Sequence, residues 1–177
     1  MNRFHPALVI LHWVIALLIV FSLVYGSTMV DHLPDDIDKK TSILKIHFGA
    51  GFAVLFLMII RVVFKKFTRT PPPVDENAIK TNKLSKLVHL SLYILIFLAC
   101  ISGIVTAFIY GLIPSLFIDS DFLMPTNFAD DIISAEIHEV MANFLIVLVF
   151  LHIVATLIHQ FIWKDKLLSR MWFNTRK

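Results

Sequence analysis

The chain has 177 residues, of which 58% are apolar and 16% are charged, with 16 phenylalanines and five glycines. This composition is too apolar for an ordinary soluble domain. The formal net charge of +3 is no argument for nucleic-acid binding. With only one cysteine, Cys100, the chain can form neither an internal disulfide nor a C-x-x-C-H haem attachment.

Four apolar runs follow one another along the chain, at residues 7–27, 43–64, 87–110 and 137–163. Each has about 20 residues, the length of a helix that crosses a hydrocarbon core of roughly 30 Å. The first run is longer than the apolar part of a signal peptide and no A-x-A site follows it, so it predicts a permanent anchor. Because backbone polar groups in lipid must be satisfied within helices or closed barrels, we expect an all-α fold. The sequence therefore predicts one domain, 1–177, formed by a bundle of four transmembrane helices.

Charges are divided unequally between the two sides of the predicted bundle. Thirteen of the 16 Lys and Arg lie at the N-terminus, around the second connection or in the tail. By the positive-inside rule, this places both termini in the cytoplasm. Ten of the 13 acidic residues fall on the outer side, where the only cations are Lys39, Lys40 and Lys45. Between the central helices, three consecutive prolines at 71–73 predict a stiff extended link.

Six of the eight histidines fall within or at the mouth of a predicted membrane helix. Polar side chains at such depth are costly and usually face the interior of the bundle. A lone intramembrane histidine is often only hydrogen-bonded to a neighbouring helix. The six must therefore be considered together: they are His12, His47, His89, His138, His152 and His159.

The spacing of these histidines indicates two sites at different depths. His138 and His152 are 14 residues apart, which on a helix is within about 40° of the same face and roughly 21 Å along the axis. Depth pairs His138 with His47 near the outer side. It pairs His152 less closely with His12 near the inner side, and depth alone leaves His159 open as the alternative to His152. The pattern predicts two bis-histidine sites stacked across the bilayer.

The residues one turn after four of the histidines are all small. A porphyrin beside a helix needs room at this i+4 position. Close helix packing explains some of the small residues, but not why they follow these histidines. The i+4 positions of His89 and His159 instead hold large aromatic side chains. The four small residues, after His12, His47, His138 and His152 in turn, are Ala16, Gly51, Ala142 and Thr156.

Two haems held by these four histidines are therefore the hypothesis for the interior. Iron with imidazole on both sides has no open position for O₂, which favours electron transfer. Haem propionates are anionic, and Arg61 at the inner end and Lys45 near His47 are candidate partners for them. Snorkelling to the interface is the alternative for both cations.

Several motifs resemble the bacterial cytochrome b561 family, in particular its small stand-alone members, over essentially the whole chain. They are LHW in the first run, IHFGAG and IIRVV in the second, KLVHLSLY in the third, and IHEVMANF with LHIVATLIHQFIWKD in the fourth. The resemblance implies a four-helix bundle with two b haems. By motif, His12 and His152 hold the inner haem, and His47 and His138 hold the outer one.

The resemblance also implies a reaction: superoxide is oxidised at the outer side and ubiquinone is reduced at the inner side. An anion is drawn by positive potential, so on the acidic outer side we expect the lysine trio Lys39, Lys40 and Lys45 to steer superoxide. His159 and His89 are candidates for the quinone site, because histidine suits proton delivery near neutral pH.

Two other functions stay open at this point. A haem-bearing membrane subunit of a separate dehydrogenase or hydrogenase has the same sequence features. A transporter that uses the histidines as metal ligands is a remote alternative, because such sites combine imidazoles with carboxylates. No carboxylate lies in the middle of a predicted span.

Overall fold

The structure is a computed structural model that describes residues 3–30, 32, 34, 36–72, 79–113, 133–165 and 167–172. Within these residues the chain is helical and contains no strand. Two π-helical segments continue the first and last long helices, and a short 3₁₀ helix follows. The four long helices are α1 (Pro6–Tyr25), α2 (Ile37–Phe67), α3 (Ile79–Ile109) and α4 (Ile133–Leu157).

The predicted fold class, an all-α bundle of four transmembrane helices, is confirmed. Four described helical stretches are long and apolar enough to cross a membrane: Pro6–Val30, Asp38–Phe67, Thr81–Ile109 and Ile133–Ile162. The helices extend beyond the apolar runs seen in the sequence. For example, α2 begins at Ile37, six residues before the second run, because the Asp36 carboxylate accepts the backbone N–H groups of Asp38 and Lys39, each at 3.1 Å.

The helices pack in chain order, with α1 against α2, α2 against α3 and α3 against α4. The α4 backbone lies further from α1 and α2 than from α3. Outward-facing side chains are large and apolar, such as Leu17, Phe56 and Phe150. Apolar residues on this outer surface contact lipid rather than water.

One apolar cluster joins all four helices near the middle of the bundle. Its central residues are Ile19 from α1, Val54 from α2, Ile96 from α3 and Leu145 from α4, and each is at most 7% exposed. Met58, 1% exposed, packs in the same cluster. The bundle is thus held together at its centre by close-packed aliphatic side chains.

The two ends of the bundle differ in which helix termini they hold. The terminal end holds the start of α1, the end of α2, the start of α3 and the end of α4, and the opposite end holds the other four helix termini. The predicted triple-proline link lies at the terminal end, where Pro71 and Pro72 have no regular structure. Residues 73–78, and 114–132 of the third connection, lie outside the described residues. The cytoplasmic location of the termini stays a prediction.

Candidate functional site

Residues at a seven-residue spacing on each helix form three layers in the bundle interior. The outer layer lies at the opposite end, the middle layer is the apolar cluster, and the inner layer lies at the terminal end. Residues seven apart on an α-helix are about 20° from the same face, so three of them form a nearly straight row. The middle residue of each row belongs to the apolar cluster described above. The four rows are His12–Ile19–Gly26, His47–Val54–Arg61, His89–Ile96–Gly103 and His138–Leu145–His152.

At the opposite end, the outer layer brings together the predicted pair His47 and His138. Their ring centroids are 6.0 Å apart and their planes are nearly perpendicular, at 87°. Two imidazoles that bind one metal ion from opposite sides, each with a metal–nitrogen distance of about 2 Å, have ring centroids roughly 6 Å apart. The pair therefore has the separation that a bis-histidine site requires.

Two glycines in this layer allow the imidazole rings to approach the neighbouring helices. A Cβ atom added to Gly103 would lie 3.0 Å from Cε1 and 3.1 Å from Nδ1 of His138. A Cβ atom added to Gly26 would lie 3.2 Å from Cε1 of His47. Only glycine leaves room for the rings in their present positions, so each histidine is seated against a glycine of the helix next to its own.

Backbone contacts fix the tautomer of His138. Its Nδ1–H donates to the carbonyl oxygen of Ala99 at 2.8 Å, and the Ser102 hydroxyl lies 3.3 Å from the same nitrogen. Because a carbonyl oxygen can only accept, Nδ1 carries the proton and Nε2 carries the lone pair. Metal-binding histidines usually show this arrangement, which orients the ring and leaves one nitrogen for the metal.

The inner layer, at the terminal end, holds three histidines and one arginine. Arg61, His152 and His89 are ionisable residues that lie near His12. The rings of His89 and His152 are in edge contact, with centroids 5.3 Å apart. α3 therefore contacts a histidine of α4 in both layers: His89 contacts His152 here, and Gly103 contacts His138 in the outer layer. Its Nδ1–H donates to the Ser85 carbonyl at 2.6 Å.

Arg61 is a buried cation in this layer, with 8% of its surface exposed. Its guanidinium donates to the Leu8 carbonyl oxygen of α1. Within the described part of the chain, no carboxylate forms an ion pair with it. A buried charge without a counter-ion is costly, so this position suits an anionic group such as a haem propionate.

Space is available beside the histidine of α2. Apart from its chain neighbours and the backbone of its own helix, a Cβ atom added to Gly51, one turn after His47, would meet no atom within 4 Å. Thr156, one turn after His152, turns its hydroxyl to the His152 carbonyl at 2.8 Å and so needs no other partner. Gly51 thus leaves room beside His47, and Thr156 presents no unsatisfied hydroxyl. Both properties are expected of residues beside a porphyrin.

The three candidate steering lysines lie at the opposite end, on the first turns of α2. Lys39 is exposed and forms a 3.8 Å ion pair with Asp36, so part of its charge is neutralised. Lys40 and Lys45 are half-buried, and Lys45 lies two residues before His47. The positive potential of the trio is therefore smaller than three charges would give.

His159 lies at the terminal end in the π segment Ile158–Ile162. Its Nδ1 forms an ion pair with a carboxylate oxygen of Asp165, and its ring is in edge contact with Trp163 at 4.4 Å. The chain then returns to the bundle, where the indole N–H of Trp13 donates to the Met171 carbonyl at 2.7 Å. His159 is thus separate from the inner layer.

Comparison with known proteins identifies the family of the chain. Residues 3–174 match the family described as prokaryotic cytochrome b561. The chain belongs to this family. It is 31% identical to cytochrome b561 homolog 1 of Escherichia coli (strain K12) over 97% of both chains. It is 32% identical to a Yersinia pestis protein named "Probable superoxide oxidase CybB", over 71% of this chain and 72% of that one. It is 27% identical to cytochrome b562 of Cereibacter sphaeroides, over 91% of this chain and 89% of that one.

The family gives the protein its general role. As a cytochrome b561, it is a multi-pass bacterial membrane protein and an oxidoreductase that transfers electrons and uses haem b. The residues described above fit such a cofactor: a histidine pair at 6.0 Å, a fixed tautomer, space beside Gly51 and a buried cation without a carboxylate partner. The number of haems and their ligands remain predictions.

Sequence reasoning did not find the residues that support the histidines. Gly26 and Gly103 had a detectable signal, because each lies 14 residues after a histidine on the same helix face. The contact of His89 with His152 had no detectable signal in the sequence, because the depth of a residue does not tell which helix packs beside its own. Asp165 was part of the quoted WKD segment, but its contact with His159 depends on the shape of a turn.

Proposed function

We propose that the protein carries two b haems and transfers electrons across the bacterial inner membrane, from superoxide at the periplasmic side to ubiquinone at the cytoplasmic side. The main support is the order of the layers: two layers with histidines are separated by one apolar layer. His47 and His138 would hold the periplasmic haem, and His12 and His152 the cytoplasmic one. The termini are then cytoplasmic, as the charge distribution predicts.

The side chains have separate tasks in this function. Haem b held by these histidines would supply a one-electron redox centre. Ala99 and Gly103 orient the His138 ring, and Arg61 would offer a buried positive charge to an anionic propionate. The apolar cluster keeps water out of the region between the layers.

Superoxide as the electron donor is supported by the name of the Yersinia pestis relative. Lys39, Lys40 and Lys45 lie at the proposed periplasmic end, where cations attract an anionic substrate. The ion pair of Lys39 with Asp36 weakens this attraction. We therefore expect Lys39 alone to contribute less to steering than a cation without an ion pair would.

Ubiquinone as the acceptor is supported by histidines at the proposed cytoplasmic end that no haem would need. His89 is in contact with His152 and bonded to Ser85, which favours a role beside the haem. His159 lies further toward the terminal end, beyond the inner layer. His159 is therefore the better candidate for the quinone site.

A single preparation of the purified protein tests this function. The pyridine haemochrome assay should give two b haems per chain. A pulse of superoxide should reduce the haems in a stopped-flow spectrometer, and ubiquinone-1 should then reoxidise them with formation of quinol. One haem or none per chain would refute the two-haem proposal. Haems that superoxide leaves oxidised, but that a co-purified dehydrogenase reduces, would instead establish the subunit function.

A further inference from the structure

The turn after α4 has an unusual backbone. The last helical turn, Ile158–Ile162, is a π helix, a form found mostly as single turns and often at functional sites. Two residues later Lys164 has a φ of 57°, in the left-handed region that a side chain disfavours. Two such features within seven residues are typical of a functional site, where strained backbone conformations cluster.

The turn brings Asp165 back to His159. The backbone N–H of Asp165 donates to the His159 carbonyl oxygen at 3.2 Å, and the Asp165 Oδ2 atom contacts Nδ1 of the His159 ring. The second carboxylate oxygen accepts the backbone N–H of Leu167 at 3.3 Å. Both carboxylate oxygens and the backbone N–H of Asp165 thus have partners, which hold the carboxylate against the imidazole.

The imidazole is also fixed on its other side. The Trp163 ring meets it edge to face, with centroids 4.4 Å apart and an angle of 89°. Since Nδ1 bonds the carboxylate, Nε2 is the nitrogen through which His159 can meet a substrate. The side chains of His159 and Asp165 are each 21% exposed, so the pair is shielded but can exchange protons with solvent.

We propose that Asp165 is the positioning residue of a proton-transfer pair, in which Nε2 of His159 gives a proton to a quinone oxygen. This inference rests on the proposed quinone reduction. Ubiquinone takes two electrons, supplied by oxidation of two superoxide ions to two O₂, and two protons from the cytoplasm. At one quinone oxygen an O–H bond forms as the N–H bond at Nε2 breaks. The solvent reprotonates His159, and ionised Asp165 stabilises the protonated ring.

The charge of Asp165 can be removed with little change in shape by Asp165→Asn. The haems are first reduced with superoxide and then mixed with ubiquinone-1. We expect the maximum rate of haem reoxidation to fall about 10- to 100-fold, as for other residues that orient a functional histidine. The KM for ubiquinone-1, the haem content and the rate of reduction by superoxide should stay at wild-type values. Asp165→Glu, which keeps the charge, should recover part of the rate.

A double-variant comparison separates proton transfer from a structural role. If the pair acts as one unit, His159→Ala combined with Asp165→Asn is no slower than His159→Ala alone. If Asp165 only holds the C-terminal segment, the two effects multiply and the proposal is wrong. Arg170→Gln is the matched control, because it removes a different contact of that segment, the 2.8 Å bond to the Pro72 carbonyl. It should reoxidise at the wild-type rate.

A measurement on the intact wild-type protein decides the case in which Asp165→Asn fails to bind haem. The ¹⁵N NMR shifts of the His159 ring should show a protonated Nδ1 in a strong hydrogen bond, and a ring with the proton only on Nε2 would overturn the proposal. A wild-type rate in Asp165→Asn would overturn the pair while quinone reduction stands. A wild-type protein that ubiquinone-1 cannot reoxidise would overturn both.

Discussion

The substitution Gly103→Ala tests whether the His138 ring is seated on α3 for haem binding. The added Cβ would lie 3.0 Å from Cε1 and 3.1 Å from Nδ1 of that ring. Favourable contacts between carbon atoms begin at about 3.5 Å. The ring, or the α4 backbone that carries it, must therefore move by about 0.5 Å. This movement strains the 2.8 Å bond from Nδ1 to the Ala99 carbonyl.

The expected effect on haem binding exceeds the effect on folding. Overpacking in a closely packed region costs about 1–3 kcal/mol, and replacing glycine by alanine within a helix returns about 1 kcal/mol. The net change in the free energy of unfolding is thus about 0–2 kcal/mol. Displacing a residue that orients a metal ligand typically lowers affinity about 10- to 100-fold. Haem occupancy of the outer layer is therefore the sensitive quantity.

The assay compares Gly103→Ala with Gly49→Ala. At Gly49 an added Cβ meets no atom of another residue within 4 Å, so this control has the same chemical change without the contact. We expect Gly103→Ala to lose up to one haem per chain by the haemochrome assay, and any haem that remains in the outer layer to have altered EPR g values and midpoint potential. Gly49→Ala should keep both haems. Two haems with wild-type spectra and potentials in Gly103→Ala would refute the reasoning.

Three further predictions follow from the layers. Replacing a histidine by alanine should remove one haem and leave the other, as counted by haemochrome and redox titration; the outer haem depends on His47 and His138, the inner one on His12 and His152. Gly51→Leu should exclude the outer haem because it fills the open space beside His47, whereas Gly49→Leu on the exposed side of α2 should retain it; equal haem content would contradict this. Neutralising Lys39, Lys40 and Lys45 together should slow reduction by superoxide and weaken its salt dependence, and Lys39→Gln alone should have a smaller effect because Asp36 already pairs with Lys39. Stopped-flow rates at two ionic strengths check the last prediction, and rates without any salt dependence would exclude steering.

The fold class was predictable because lipid restricts the possible structures. A run of about 20 apolar residues has few alternatives to a transmembrane helix. The true ends of α2 were less predictable, since Asp36 and not hydropathy determines where the helix begins. The π segments were not predictable either, because an extra residue in a turn changes neither composition nor length noticeably.

The histidine positions were predictable in depth but not in lateral position. Counting residues along antiparallel helices brought His47 to the level of His138, and the structure places their rings 6.0 Å apart. The same counting also brings His89 to the level of His152, but it does not show that α3 packs beside α4. The structure shows that contact, and so indicates that the inner layer is more polar than the outer one.

In the proposed function, the middle layer would let electrons cross the bundle while it prevents proton transfer from one histidine layer to the other. Proton relays in membranes consist of chains of ionisable side chains such as His, Asp and Glu. Here the middle residue of each of the four rows is aliphatic, and these four side chains pack together. In the part of the chain that the structure describes, the aliphatic side chains of this layer offer protons no hydrogen-bonded path, whereas electrons could tunnel through packed protein between the two proposed haems. In the proposed function, the protons for quinone reduction would therefore come from the side on which the quinone binds.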